Sequence, residues 1–597
     1  MSRLRNIELV KLGCKNFINP VNLVNPVQKI PNPVHKTMQI RSISLQYNDS
    51  TIALTPNKST FLDELYADCR LTTTKNGATR LQIHLHPKQP ITIRAMEAVF
   101  AFDYKPTDAL FCNGWQSWTE SREYAVEERI APPLFGTKML FEPMGDYGFY
   151  DYPNQKGLLH SWTYTYVKRT AEKYHFMGSA NEQTGFTLFE HNTQNQTISV
   201  KKDLTDLVLE HSFPILDIIW IENTETTVFD TFFDLSEIKK PTMSSPLLGW
   251  TSWYNYYTKI SEKIIVENAK NVLARYTNDE ERAKIMIQTD DGWQTAVGDW
   301  HSIDTQKFPM GMQTVATQIN ALGGQAGLWL APFICEKNSE LYRNKPSWIL
   351  RDSKGKMVKA GVNPLWSGVF YALDFYNDEV QNYLRNVLQT VTANWNFALL
   401  KLDFLYAVCL APPTNKTRGQ VMHEAMDFIR SIVPNTQILT CGIPLAAAFG
   451  RADYCRIGAD THLTWEHFWL ALARNRERVS TLLALRNTVG RRQLDGRAFR
   501  NDPDVFILRK QNHKLTQDQQ DTLLFVNVLL GNVWFTSDDI NAMDAPTKHR
   551  YDSLQWLKNR KIISVETRFD TLKIRFDIDN KTYLCTANLT VGTANIR

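Results

Sequence analysis

Residues 397–403 read Phe397-Ala398-Leu399-Leu400-Lys401-Leu402-Asp403, an apolar run of strand length that closes on a lysine and an aspartate. Charges at the end of a buried strand are costly unless they are paired or used in chemistry. The same pattern recurs downstream, where Tyr454-Cys455-Arg456-Ile457-Gly458-Ala459 leads to Asp460, and upstream, where Ile285–Thr289 leads to Asp290-Asp291. Between about residues 245 and 545, short apolar runs alternate with longer amphipathic stretches. The predicted strands are Leu247–Trp250, Ile285–Thr289, Gly327–Ala331, Ala398–Leu402, Gln437–Thr440, Tyr454–Ile457, a weaker one near Ala498–Arg500, and Asn532–Thr536. Helical periodicity fills the intervals, as in Glu262–Tyr276, Glu379–Ala393 and Gln420–Ile432. Eight strands alternating with helices indicate a (β/α)8 TIM barrel. A doubly wound open sheet is the alternative, but no glycine-rich first strand–helix turn supports it.

On either side of this region the period changes to two. Arg80–His86 and Thr197–Val200 alternate apolar and polar residues, and turn clusters such as His191–Gln196 separate such runs at the spacing of a β-sandwich. Short strands return at Lys573–Phe576 and Tyr583–Thr586. The expected organisation is therefore multidomain α/β: an N-terminal β-sandwich over 1–240, a barrel over 241–550 and a small C-terminal β domain over 551–597.

The bulk numbers fit this division. A chain of 597 residues exceeds what one core usually serves, and 43% hydrophobic with 22% charged residues is ordinary for a globular protein. The net charge of +5 is spread without basic blocks, so there is no electrostatic case for nucleic acid. Met1 to Asn25 lacks the roughly 7–15-residue apolar core of a signal peptide, and no stretch reaches the roughly 20 apolar residues of a membrane span. The eight cysteines (14, 69, 112, 335, 409, 441, 455 and 585) show no Cys-x-x-Cys spacing, which fits a reducing cytoplasm and leaves a metal site unsupported. The 16 tryptophans suit sugar binding, since pyranose faces stack on indoles, although a large core uses them equally well.

In barrels the working side chains sit at the C-terminal ends of strands. One aspartate there is explained by capping of the next helix, as for Asp374 before Asn377-Asp378-Glu379. A convergent set is not. Lys401 and Asp403, two residues apart, face the same side of a strand, where the ammonium would favour an ionised Asp403 as a nucleophile. Asp460 could then act as general acid and base, with Arg456 orienting it or binding a hydroxyl. Asp290 and Asp291 can each accept hydrogen bonds from sugar hydroxyls. Two carboxylates at two strand ends are what double-displacement glycoside cleavage requires.

Several motifs occur in one order: Gly249-Trp250-Thr251-Ser252-Trp253, Asp290-Asp291-Gly292-Trp293, Gly327-Leu328-Trp329-Leu330-Ala331-Pro332, Lys401-Leu402-Asp403, Cys441-Gly442-Ile443-Pro444, Arg456-Ile457-Gly458-Ala459-Asp460 and Asn501-Asp502-Pro503-Asp504. In this the chain resembles the α-galactosidases of glycoside hydrolase family 36. Gly114-Trp115-Gln116-Ser117-Trp118 extends the likeness to the N-terminal part, where family members place an aromatic loop over the barrel mouth. The resemblance implies a retaining exo-α-galactosidase without a cofactor, with Asp403 as nucleophile and Asp460 as acid/base. It further implies a galactose subsite of Asp290, Asp291, Trp329, Lys401, Cys441 and Arg456, the aspartate pair holding O4 and O6. Many bacterial members have Lys-Trp-Asp and a glycine-rich stretch after the cysteine. Lys401-Leu402-Asp403 and Cys441-Gly442-Ile443-Pro444 are instead similar to a smaller, archaeal-like branch. The expected partner is a small oligosaccharide such as melibiose or raffinose, and homo-oligomerisation stays open. The alternatives are an α-N-acetylgalactosaminidase or other retaining α-glycosidase, an α-galactosyl transglycosylase, and a non-catalytic carbohydrate-binding protein.

Overall fold

The structure, a computed structural model, describes residues 38–134, 136–204, 206–242 and 246–597. The expectation for Met1 to Asn25 and the position of Cys14 lie outside the described residues. Two antiparallel sheets, of seven and eight strands, come first among the described residues. The alternation predicted at Arg80–His86 becomes the strand Thr79–Pro87, whose Leu81, Ile83 and Leu85 face inward. They share one apolar cluster with Ile91, Ile93, Ala98 and Phe100 of the other sheet. Period-two patterning thus buries one face of each sheet against the other.

The central region is an eight-stranded parallel sheet. Its strands are β1 (Leu247–Thr251), β2 (Ile285–Thr289), β3 (Gln325–Leu330), β4 (Leu399–Leu402), β5 (Gln437–Thr440), β6 (Tyr454–Arg456), β7 (Arg500–Asp502) and β8 (Val533–Thr536). The spatial order is β7-β6-β5-β4-β3-β2-β1-β8. Asn532 N–H donates to Asn501 O at 2.9 Å, and Val505 bridges Phe535, so the two end strands meet and the sheet is a nearly closed barrel. Most strands match the expected runs. The weak expectation near Ala498–Arg500 is displaced to β7, whose Arg-Asn-Asp sequence carries no hydrophobic signal. Its polar groups are satisfied within the fold: Asn501 N–H donates to Asp495 at 2.8 Å and Asp502 accepts from Arg456 at 2.9 Å.

The helices obey local rules. α1 (Glu262–Leu273) starts at Ser261, whose hydroxyl accepts from Ile264 N–H, and buries Ile265, Ala269 and Val272 at helical spacing. α2 (Asp378–Gln389) starts at Asn377 and passes into a π-helical turn, Thr390–Asn394, which accounts for the longer run read from sequence. α3 (Arg418–Ile432) opens on a Thr417/Gln420 capping box. Between β3 and α2 a three-stranded antiparallel sheet is inserted, built from Ile334–Glu336, Lys359–Asn363 and Gly368–Ala372. The chain ends in a four-stranded antiparallel sheet spanning Lys561–Ile596. No helix among the described residues is long and apolar enough to cross a membrane.

Candidate active site

A cavity of about 370 Å³ opens at the C-terminal ends of the barrel strands. Its walls include Asp290, Asp291, Trp329, Lys401, Asp403 and Asp460, so six of the eight expected site residues converge there. Cys441 and Arg456 do not line it.

Asp403 follows β4 directly. Its own N–H donates to Leu330 O at 2.9 Å, continuing the pairing with β3 one residue past the strand. Phe404 then takes a left-handed conformation, φ 53°, that costs energy for a residue with a Cβ. That turn lets Phe404 N–H donate to Asp403 Oδ1 at 2.9 Å, while Trp329 Nε1–H donates to Oδ2 at 3.1 Å. Both carboxylate oxygens are therefore held in place. Burial raises the Asp403 pKa above its usual value of 3.8, partly offset by the positive charge of Lys401 and reinforced by Asp460.

The Lys401 ammonium acts on Asp403 through space, because its contact is elsewhere. Nζ donates to Asp290 Oδ2 at 2.7 Å, a pair in which both side chains are buried. Burial disfavours the charged lysine, but Asp290 and Asp403 outweigh this and hold it protonated. Asp290 Oδ2 also accepts from Gln288 Nε2 at 3.1 Å. Asp291 accepts from Gln294 Nε2 at 2.6 Å and from Trp366 Nε1 at 2.7 Å. Burial pushes the Asp291 carboxyl up to about 6, with the charges of Asp290 and Glu336 adding to the effect.

Arg456 is buried and is spent on three carboxylates. Nη1 donates to Asp460 Oδ1, Nε to Asp502 Oδ2 and Nη2 lies against Asp504 Oδ1, each at 2.9 Å. Tyr254 OH donates to Asp504, and Thr461 N–H donates to Asp504 Oδ2 at 2.7 Å. Of the two roles open to Arg456 in the sequence, the geometry matches orientation of Asp460; its guanidinium is not presented to the cavity. Burial raises the Asp460 pKa, with Asp504 adding and Arg456 opposing. Asp502 and Asp504 form the shell that holds this arrangement.

Cys441 holds a tryptophan. Trp118 Nε1–H donates to Cys441 Sγ at 3.2 Å, and the Trp118 indole packs edge-on against Phe404 at 5.1 Å between ring centroids. Gly442 allows this approach: its φ is 59°, and a Cβ there would lie 2.8 Å from the Trp118 ring. The segment before the indole is fixed by the fully buried Arg491, which donates to Asn113 Oδ1 at 2.9 Å, Gln116 O at 3.1 Å and Ile457 O at 2.8 Å. Trp118, on the segment expected to reach over the barrel mouth from the N-terminal part, thus lines the cavity, whereas Trp115 does not. Trp253 lines it as well, and Trp250 is fully buried with its indole N–H on Asp538 O.

Several wall residues escape the sequence reading. Asn363 and Trp366 come from the hairpin inserted after β3, for which Pro364 and Gly368 were the available turn signals. Tyr254, Met144, His462 and Glu477 carry no motif of their own. Glu477 is buried, and burial pushes its carboxyl up to about 7.

Residues 250–437 match the Melibiase family. The α-galactosidase AgaA of Geobacillus stearothermophilus is 30% identical over 207 residues, 32% of this chain and 26% of the relative. An Escherichia coli α-galactosidase is 38% identical over 187 residues, 30% of this chain and 25% of the relative. The alignments thus span about a quarter of these curated relatives. Among solved structures, the Thermus thermophilus α-galactosidase TtGalA in complex with p-nitrophenyl α-D-galactopyranoside has a TM-score of 0.69 at 24% identity, covering 88% of this chain and 98% of that one. The family 36 enzyme AgaA has a TM-score of 0.56 at 14% identity, covering 92% and 79%. The fold is shared with both.

Proposed function

We propose that this chain, whose barrel carries the Melibiase match and whose fold is that of the family 36 α-galactosidases, is a retaining exo-α-galactosidase of small oligosaccharides. The observation that carries the reading is the convergence of Asp403 and Asp460 on one cavity that also holds the Asp290, Asp291 and Lys401 cluster. In this reading Asp403, gripped by two N–H donors, attacks the anomeric carbon to form a galactosyl-enzyme ester. Asp460 gives a proton to the departing oxygen and then takes one from water. Asp290, Asp291, Lys401 and Trp329 receive the galactose, and Arg456 and Cys441 serve it indirectly by fixing Asp460 and Trp118. The chemistry draws on no cofactor.

The proposed division of the chain is a β-sandwich to about residue 240, a (β/α)8 barrel to about 550 and a C-terminal β unit, supported by the sheet order. A cytoplasmic enzyme acting on melibiose- or raffinose-like sugars fits the free, buried state of all described cysteines. The reading is tested with 4-nitrophenyl α-galactoside, α-N-acetylgalactosaminide, α-glucoside and α-xyloside. Nitrophenol release should be fastest from the α-galactoside by at least about tenfold, the cost of one misplaced polar sugar contact. Preference for another sugar, or release from none, would refute it.

A further inference from the structure

The barrel order sorts the cavity walls by what they would touch. β2 and β6 stand four strands apart in either direction around the barrel, so their C-terminal ends face each other across its mouth. Asp290 and Asp291 follow β2, on the side read above as the galactose subsite, and Lys401 is tied to Asp290. Asp460 follows β6, and Ser480 N–H donates to Asp460 O at 3.0 Å, which closes the segment between them into a loop whose two ends, Thr461-His462 and Glu477 with Val479, line the cavity. An acid/base group faces the glycosidic oxygen, so side chains on its own loop surround whatever departs with that oxygen.

Glu477 lies on this loop and in the cavity wall. Its side chain is fixed from the N-terminal part of the chain: Thr119 Oγ1 donates to Oε1 at 2.7 Å and Tyr147 OH donates to Oε2 at 2.6 Å. Gly145 leaves room for it, since a Cβ there would come within 2.9 Å of Oε1. Each carboxylate oxygen offers about two acceptor directions, and these two donors occupy one on each. What is left is a rigid carboxyl group with unused acceptor capacity in the wall beside the departing group, next to Trp118 and Met144.

We infer that Glu477 is a specificity residue of a leaving-group subsite, accepting a hydroxyl of a departing hexose, so that the site favours polyhydroxylated leaving groups over small or aryl ones. This rests on the α-galactosidase reading. The test compares melibiose, whose departing group is a hexose, with α-galactosyl fluoride, whose departing group has no hydroxyl, in the wild type and in Glu477→Gln. The expected result is a fall in kcat/KM of about 10-fold on melibiose, the scale of one lost hydrogen bond, and a change within about twofold on the fluoride. Equal losses on both substrates, or none on either, would overturn the inference. A wild type that cleaves neither substrate would instead refute the α-galactosidase reading. Should Glu477→Gln fail to fold, Thr119→Val, which loosens the carboxyl but keeps it, decides the matter: a loss confined to melibiose supports the assignment, and an equal or absent loss overturns it.

Discussion

Asp403→Ala is expected to lower turnover of a natural α-galactoside by at least about 10⁴-fold, on the scale seen when an enzymatic nucleophile is removed. The fold should survive the change. Asp403 donates no side-chain hydrogen bond, and the N–H donors it releases, Trp329 Nε1–H and Phe404 N–H, border a cavity that water can enter. The space left by the carboxylate admits a small anion. External azide should therefore restore release of nitrophenol from 4-nitrophenyl α-galactoside and yield β-galactosyl azide, formed by direct attack on the face that Asp403 occupies. A variant that retains wild-type turnover, or a rescued product of α configuration, would remove Asp403 from that role.

Asp460→Ala is expected to cost about 10²- to 10⁴-fold on melibiose, whose departing alkoxide needs a proton, and much less in the first step on a nitrophenyl galactoside, whose leaving group departs unaided. The pH profile gives an independent reading. The proposed mechanism needs Asp403 ionised and Asp460 protonated, and burial raises both above the usual 3.8. Activity should fall on the acid side as Asp403 takes up a proton and on the alkaline side as Asp460 loses one, a bell that reports the pair rather than either residue. Asp460→Ala should abolish the alkaline limb. The acid limb should remain, because Asp460 is protonated, and so uncharged, over the range in which Asp403 ionises. An unchanged alkaline limb would assign it to another group.

The strands were legible where burial demanded runs of apolar residues, as in Ile285–Ile287 and Val533–Phe535. β7 was legible only weakly, because its Asn501 and Asp502 are polar and are satisfied by Asp495 in the preceding turn and by Arg456 in the neighbouring strand. The same limit applied to the site. Strand-end position located Asp290, Asp291, Lys401, Asp403 and Asp460, since each follows or ends an apolar run. It did not assign partners: two-residue spacing put Lys401 on the face of Asp403, while the adjacency of β2, β3 and β4 gave its ammonium to Asp290. The motif cysteine entered the site by resemblance and Arg456 by its strand-end position, but their contacts are with Trp118 and a carboxylate cluster. Glu477 had no signal at all, being recruited by a loop fold that brings Thr119 and Tyr147 across from a separate part of the chain.

The most direct test of the central claim is the configuration of the sugar first released. Hydrolysis of 4-nitrophenyl α-galactoside followed by proton NMR, before mutarotation erases the record, should show α-galactose appearing first. That outcome follows from two successive inversions, one through Asp403 and one through water activated by Asp460. First appearance of β-galactose would mean a single inversion, in which Asp403 forms no covalent intermediate, and would contradict the account.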